Sequence, residues 1–210
     1  SASIAPPATP TGAAPSCGSP GGSMAGMEAR LGLDTAGPYL ALALWSPRSG
    51  LLARRAPRVD RDHAARVVPE LEALLDDAGV AKPEIAAVTV GVGPGSYTGL
   101  RVGIATAQAL STAWDVPLGG ACSLAQLAWG ALAPGETGLA VADARRGNVY
   151  AAAFRRDGDE LEELAPAAKL PRPEAAAAWP DVRWLEGIAP DATWAAMRPP
   201  GERPAEAVYL

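Results

Sequence analysis

From Arg30 onward the chain alternates short apolar runs with turn-forming residues. Leu31 to Asp34, Tyr39 to Trp45 and Leu51 to Ala56 are three such runs, separated by Ala36-Gly37-Pro38 and by Pro47 to Gly50, which predicts a three-strand meander. At His63 the period changes. Ala64, Val67, Val68, Leu71, Leu74, Leu75 and Ala78 fall three and four apart, the spacing of an amphipathic helix, with Pro69 inside it and Gly79 and Pro83 as stop signals. Ile85 to Val92 is continuously apolar and rich in β-branched residues, as suits a strand buried on both faces of a sheet. A helix over Gly99 to Trp114, a strand over Pro117 to Cys122 and a helix over Ser123 to Leu132 follow.

A second start then comes into view. Leu139 to Asp143 reads as a strand ending in aspartate, and after a short turn Val149 to Phe154 reads as another, mirroring Leu31 to Asp34 and Tyr39 to Trp45. Two strand-Asp-turn-strand units predict an α/β chain built from a duplicated, ribonuclease H-like lobe, the plan of actin and the sugar kinases. The first lobe is expected over 27–133 and a reduced second lobe over 134–210. Leu164 to Pro204 is rich in Ala, Pro and Trp, and one helix is expected there, near Pro173 to Trp179.

Composition narrows the chemistry. With 210 residues, 49% of them hydrophobic, the chain can bury a core. A net charge of -5 argues against a protein that grips phosphate backbones by itself, so any nucleic acid involved would be held by another chain. Cys17 and Cys122 form no disulfide framework, which fits a reducing cytosol. His63 is the one histidine, so a metal site needing two is ruled out. No apolar run has the length of a membrane helix. Residues 1–26 carry no charge and few large apolar side chains, the composition of a disordered extension ahead of Met27.

The segment Gly91 to Leu110 joins the apolar strand to the next helix through a glycine-rich turn. Gly93, Gly95 and Gly99 permit close approaches, and Ser96 or Thr98 can cap a helix whose first amides would accept an anion. This much reads as a phosphate cradle. The helix reads differently, because Gly99, Gly103 and Ala107 recur every four residues and let another backbone come close, while Leu100, Val102, Ile104, Ala109 and Leu110 are apolar as well. That pattern favours a docking surface. For Asp34 the plainer role is to cap its own turn.

The run Gly93-Pro-Gly-Ser-Tyr-Thr-Gly-Leu-Arg-Val-Gly103 closely resembles the glycine-rich motif of the TsaB family, the dimerization subunit of the bacterial complex that makes threonylcarbamoyladenosine in tRNA. Leu31-Gly-Leu-Asp34-Thr35, His63 to Leu75, Ala142 to Tyr150 and the closing Ala207-Val-Tyr-Leu210 resemble further family elements, with Asn148 as a departure. The resemblance implies an actin-like fold, no catalytic residues and no metal or cofactor of its own. It also implies a heterodimer with the TsaD paralogue, the P-loop ATPase TsaE as third protein, tRNA reached only through the complex, and a cytoplasmic location. A homodimer, and a nucleotide at the subunit interface, stay open. The expected partner interface is Gly99, Leu100, Arg101, Gly103, Ala107 and Trp114. The expected ligand loops hold Asp34, Thr35, Gly93, Gly95, Ser96, Thr98, Asp143 and Arg145. The alternative is a stand-alone kinase or carbamoyl transferase using Asp34 and Asp143 around a metal-nucleotide.

Overall fold

The computed structural model describes residues 28–201 and 203–210, so the expected extension 1–26, with Cys17, and the expected start at Met27 lie outside them. The meander forms as β1 (Ala29–Asp34), β2 (Ala41–Ser46) and β3 (Gly50–Arg55). Helix α1 (His63–Ala78) runs through Pro69 and stops at Gly79, whose φ of 63° is the left-handed C-cap that glycine favours. β4 (Ile85–Gly91), α2 (Tyr97–Trp114), β5 (Leu118–Ala121) and α3 (Ser123–Ala131) follow. The second half adds β6 (Thr137–Asp143), β7 (Asn148–Asp157), β8 (Glu160–Pro171), α4 (Arg172–Ala178), β9 (Arg183–Leu185) and α5 (Thr193–Met197).

Two sheets carry the duplication. The first has the order β3-β2-β1-β4-β5 and the second β8-β7-β6-β9. β1 pairs antiparallel with β2 and parallel with β4, and β6 repeats this with β7 and β9. The second sheet is the first without its fifth strand, which is the sense in which the second lobe is reduced.

The packing crosses the boundary expected at 133/134. Helix α3 belongs to the first half of the chain, yet Leu124, Ala125, Ala128 and Trp129 bury against Ala140, Ala152, Phe154 and Leu185 of the second half. In return α5 lies on the first sheet, where Gly32 of β1 has no side chain because a Cβ there would overlap the Ala192 carbonyl. Residues 203–208 also return to the first sheet, with Gly120 N donating to Arg203 O and Val208 N to Val92 O. Each sheet buries two faces, one under helices of its own half (α1 and α2, or α4) and the other under a helix from the other half. Trp129 and Trp194 stack where α3 meets α5, with centroids 5.2 Å apart, and Arg156 and Arg198 each stand 3.8 Å from one of these rings.

Candidate functional site

β1 and β6 both end in an aspartate that opens a turn. Asp34 Oδ1 accepts from Ala36 N at 2.8 Å, and Asp143 Oδ1 accepts from Arg145 N at 2.9 Å, the same two-residue reach in both halves. The duplication brings the two turns into the lining of one cleft of about 670 Å³. Of the expected ligand-loop residues, Asp34, Gly95, Ser96, Thr98, Asp143 and Arg145 line it. Thr35 and Gly93 do not. Thr35 is buried beneath α2, its hydroxyl donating to Gly99 O at 2.8 Å, and Gly93 N donates to Ser123 Oγ at 3.1 Å.

Although Asp34 lines the cleft, its carboxylate is committed to the protein. It is 1% exposed, and Gln126 Nε2 donates to Oδ2 at 2.9 Å, while the Ser123 hydroxyl is a further hydrogen-bond partner. Burial pushes its pKa above the ordinary carboxylate value, opposed by the bonds from Ser123 and Ala36 and by nearby His63. Gly91 is part of the same arrangement, since a Cβ there would overlap Asp34 Oδ2. A metal-nucleotide would have to displace these partners. Among the described residues no three His, Cys, Asp or Glu side chains converge as a metal site. Gln126 and Ser123 escaped the sequence reading, although a glutamine inside the apolar run Ser123 to Ala131 was a signal, because a buried amide needs a partner.

Most of the docking face expected on α2 is turned inward. Gly99, Leu100, Gly103 and Ala107 are its buried residues, and a Cβ on Gly103 would overlap Thr35 Oγ1, while one on Gly99 would overlap Thr35 O. The row of small residues therefore admits the chain's own β1–β2 turn. Trp114 is half-buried against the core of the first sheet. Arg101 alone of the expected interface set is exposed, and it begins a different row. Tyr97, Arg101, Ala105, Ala109 and Ala113 are all exposed at four-residue spacing, and Arg101 is the one charge in the 18 residues of the helix.

With this geometry in place, comparison with known proteins is decisive. A family model described as TsaD, tRNA N6-adenosine threonylcarbamoyltransferase, matches residues 56–177. The tRNA threonylcarbamoyladenosine biosynthesis protein TsaB of Escherichia coli strain K12 is 37% identical over 142 residues, covering 64% of this chain and 61% of that protein. The chain belongs to this family, as a TsaB/YeaZ protein. TsaB of Bacillus subtilis strain 168 is 31% identical, with 65% of this chain and 59% of that protein covered. YeaZ from Pseudomonas aeruginosa superposes with a TM-score of 0.71 at 28% identity, over 88% of this chain and all of that one. The actin-like, ribonuclease H-like fold of the TsaB/YeaZ family is thus the fold of this chain. The chain spans about three fifths of the length of the curated TsaB relatives it matches.

Proposed function

We propose that the chain is the non-catalytic dimerization subunit of the bacterial complex that forms threonylcarbamoyladenosine in tRNA, and that it binds and supports a catalytic TsaD-type paralogue. The observation that carries this reading is the outer side of α2, a long helix with four buried residues and a single charge. A helix so poor in charge and so little covered by its own chain is suited to a protein partner. The committed carboxylate of Asp34 supports the non-catalytic part, because its oxygens already hold protein donors. With the acidic balance of the chain, tRNA is reached through the partner, the P-loop ATPase TsaE completes the complex, and the setting is the cytoplasm. No helix among the described residues is long and apolar enough to cross a membrane.

A second reading, a stand-alone kinase or carbamoyl transferase, is favoured by one observation: Asp34 and Asp143 line the same cleft. One pair of measurements separates the two. Ala109→Arg, placed within the exposed row, is expected to abolish co-purification with the paralogue while leaving the circular dichroism melt unchanged. Wild-type pull-down by Ala109→Arg, together with ATP and magnesium binding by the isolated chain that Asp34→Asn removes, would establish the enzyme reading instead.

A further inference from the structure

Six large apolar side chains are exposed among the described residues, and two of them stand together, Tyr97 at 58% and Tyr209 at 57%, with Leu210 at 44% next to Tyr209 in the chain. Distance along the chain separates them, and the strap 203–208 unites them. Gly120 N donates to Arg203 O at 2.8 Å and Val208 N donates to Val92 O at 2.7 Å, while Ala205 and Val208 pack on the core of the first sheet. Gly120 makes room for this, since a Cβ there would overlap the Pro204 carbonyl. The seated strap delivers Tyr209 onto Tyr97, the first residue of α2, with ring centroids 5.5 Å apart and planes inclined by 37°. Arg101 closes the cluster, donating from Nη1 to Tyr97 Oη at 2.9 Å with its guanidinium 5.4 Å from the ring centroid.

Tyr97 and Arg101 are also the first two positions of the row that continues through Ala105, Ala109 and Ala113. The aromatic cluster is therefore one end of the α2 surface. Tyrosine and arginine are the side chains on which interfaces concentrate their binding energy, whereas the alanines beyond offer a shallow track for a close-lying helix. Arg101 pairs with no carboxylate among the described residues.

Resting on the reading of α2 as the partner surface, we propose that Tyr209, held by the strap 203–208, is an anchor of that surface. Its occupant is a helix of the TsaD-type paralogue that is uncharged along the alanine track and places one carboxylate opposite Arg101. The strap thus links partner binding to the packing of the chain's own last residues on β5.

The test is calorimetric titration of the full chain with the purified paralogue from the same organism. Tyr209→Ala is expected to weaken binding on the order of 30-fold, whereas Tyr209→Phe, which keeps the ring, stays within about threefold. Leu210→Asp, which leaves the tyrosine pair in place, weakens it roughly tenfold. Wild-type affinity in Tyr209→Ala alongside lost binding in Ala109→Arg overturns the anchor and leaves the α2 surface standing. Wild-type affinity in both overturns the anchor and the surface together, as does a wild-type chain that does not bind. A Tyr209→Ala chain that melts early, with undiminished binding by Leu210→Asp, assigns the tyrosine to the fold and also overturns the anchor.

Discussion

The turns after β1 and after β6 start from the same local chemistry and end in different roles. Each opens with a strand-terminal aspartate that accepts from the amide two residues on. Asp34 is then roofed by α3, which brings Gln126 and Ser123 to its remaining oxygen. Asp143 is exposed, and no side-chain donor reaches it among the described residues beyond its own turn. Local sequence fixes the turn, and whether a helix such as α3 closes over it decides whether its carboxylate becomes a structural linchpin or a solvated cap. The same cover by α3 leaves an actin-like cleft in place with one of its two aspartates withdrawn from ligand chemistry.

The comparison breaks most easily at the aspartates themselves. Asp34→Ala leaves Gln126 Nε2, the Ser123 hydroxyl and Ala36 N without their acceptor in a buried site, and is expected to cost about 3 kcal/mol of unfolding free energy. Asp143→Ala gives up one exposed turn bond, whose donor water can satisfy, and is expected to cost less than about 1 kcal/mol. Urea denaturation of both variants measures the difference. Equal costs would mean that the roof over Asp34 contributes nothing.

Much of this asymmetry was hidden from the sequence. The strands and helices up to Asp143 were legible because their apolar periods are long and unambiguous, and His63–Ala78 is placed to the residue. β8 was not legible. It is an edge strand with charged residues along its open side and with Pro166 where its register against β7 shifts between Ala153↔Ala165 and Ala151↔Ala168, so it shows no clean alternation. β9 and α5 are three and five residues long, too short for any period to show. At the site, both aspartates and the glycine turn were legible as chemistry. The small row Gly99, Gly103 and Ala107 was legible as a close contact but not as to whose backbone makes it, because spacing cannot separate an internal neighbour from a partner.

The burial of Asp34 has a consequence in acid. A carboxyl whose folded-state pKa lies above its unfolded value binds its proton more readily in the folded chain, so its contribution to stability is fully present below the unfolded pKa and is lost as pH rises through the folded one. Asp34→Asn removes this titration and leaves the others in place, including that of Glu70, which Arg66 and Arg55 hold below the ordinary range. The stability of the wild type relative to Asp34→Asn is therefore expected to grow as pH is lowered from about 7 to about 4. Urea midpoints for the pair across that window test the sign. A relative stability that shrinks toward acid would show hydrogen bonding to the carboxylate outweighing its burial.

The smallest effect is expected in the turn that burial has spared. After Asp143 the chain passes through three left-handed residues, Arg145 at φ 63°, Arg146 at 54° and Gly147 at 75°, and Asn148 N donates to Arg145 O at 3.0 Å. Positive φ at both Arg146 and Gly147 inside that bond is the type I′ hairpin pattern, where asparagine followed by glycine is strongly preferred. Arginine gains no local hydrogen bond there and carries the steric cost of a Cβ in the left-handed region. In the corresponding turn after Asp34 none of residues 35 to 38 is left-handed, because α2 presses on Thr35 and sets the path from outside. Arg146→Asn is thus expected to stabilise the chain by about 0.5 kcal/mol through relief in the turn alone. Thermal unfolding of this variant would show a small upward shift, and the same substitution at exposed Arg61, which has a negative φ, would not. A neutral or destabilising Arg146→Asn would mean that the arginine makes a contact worth more than the strain it carries, and that the second turn, like the first, is held by more than its own sequence.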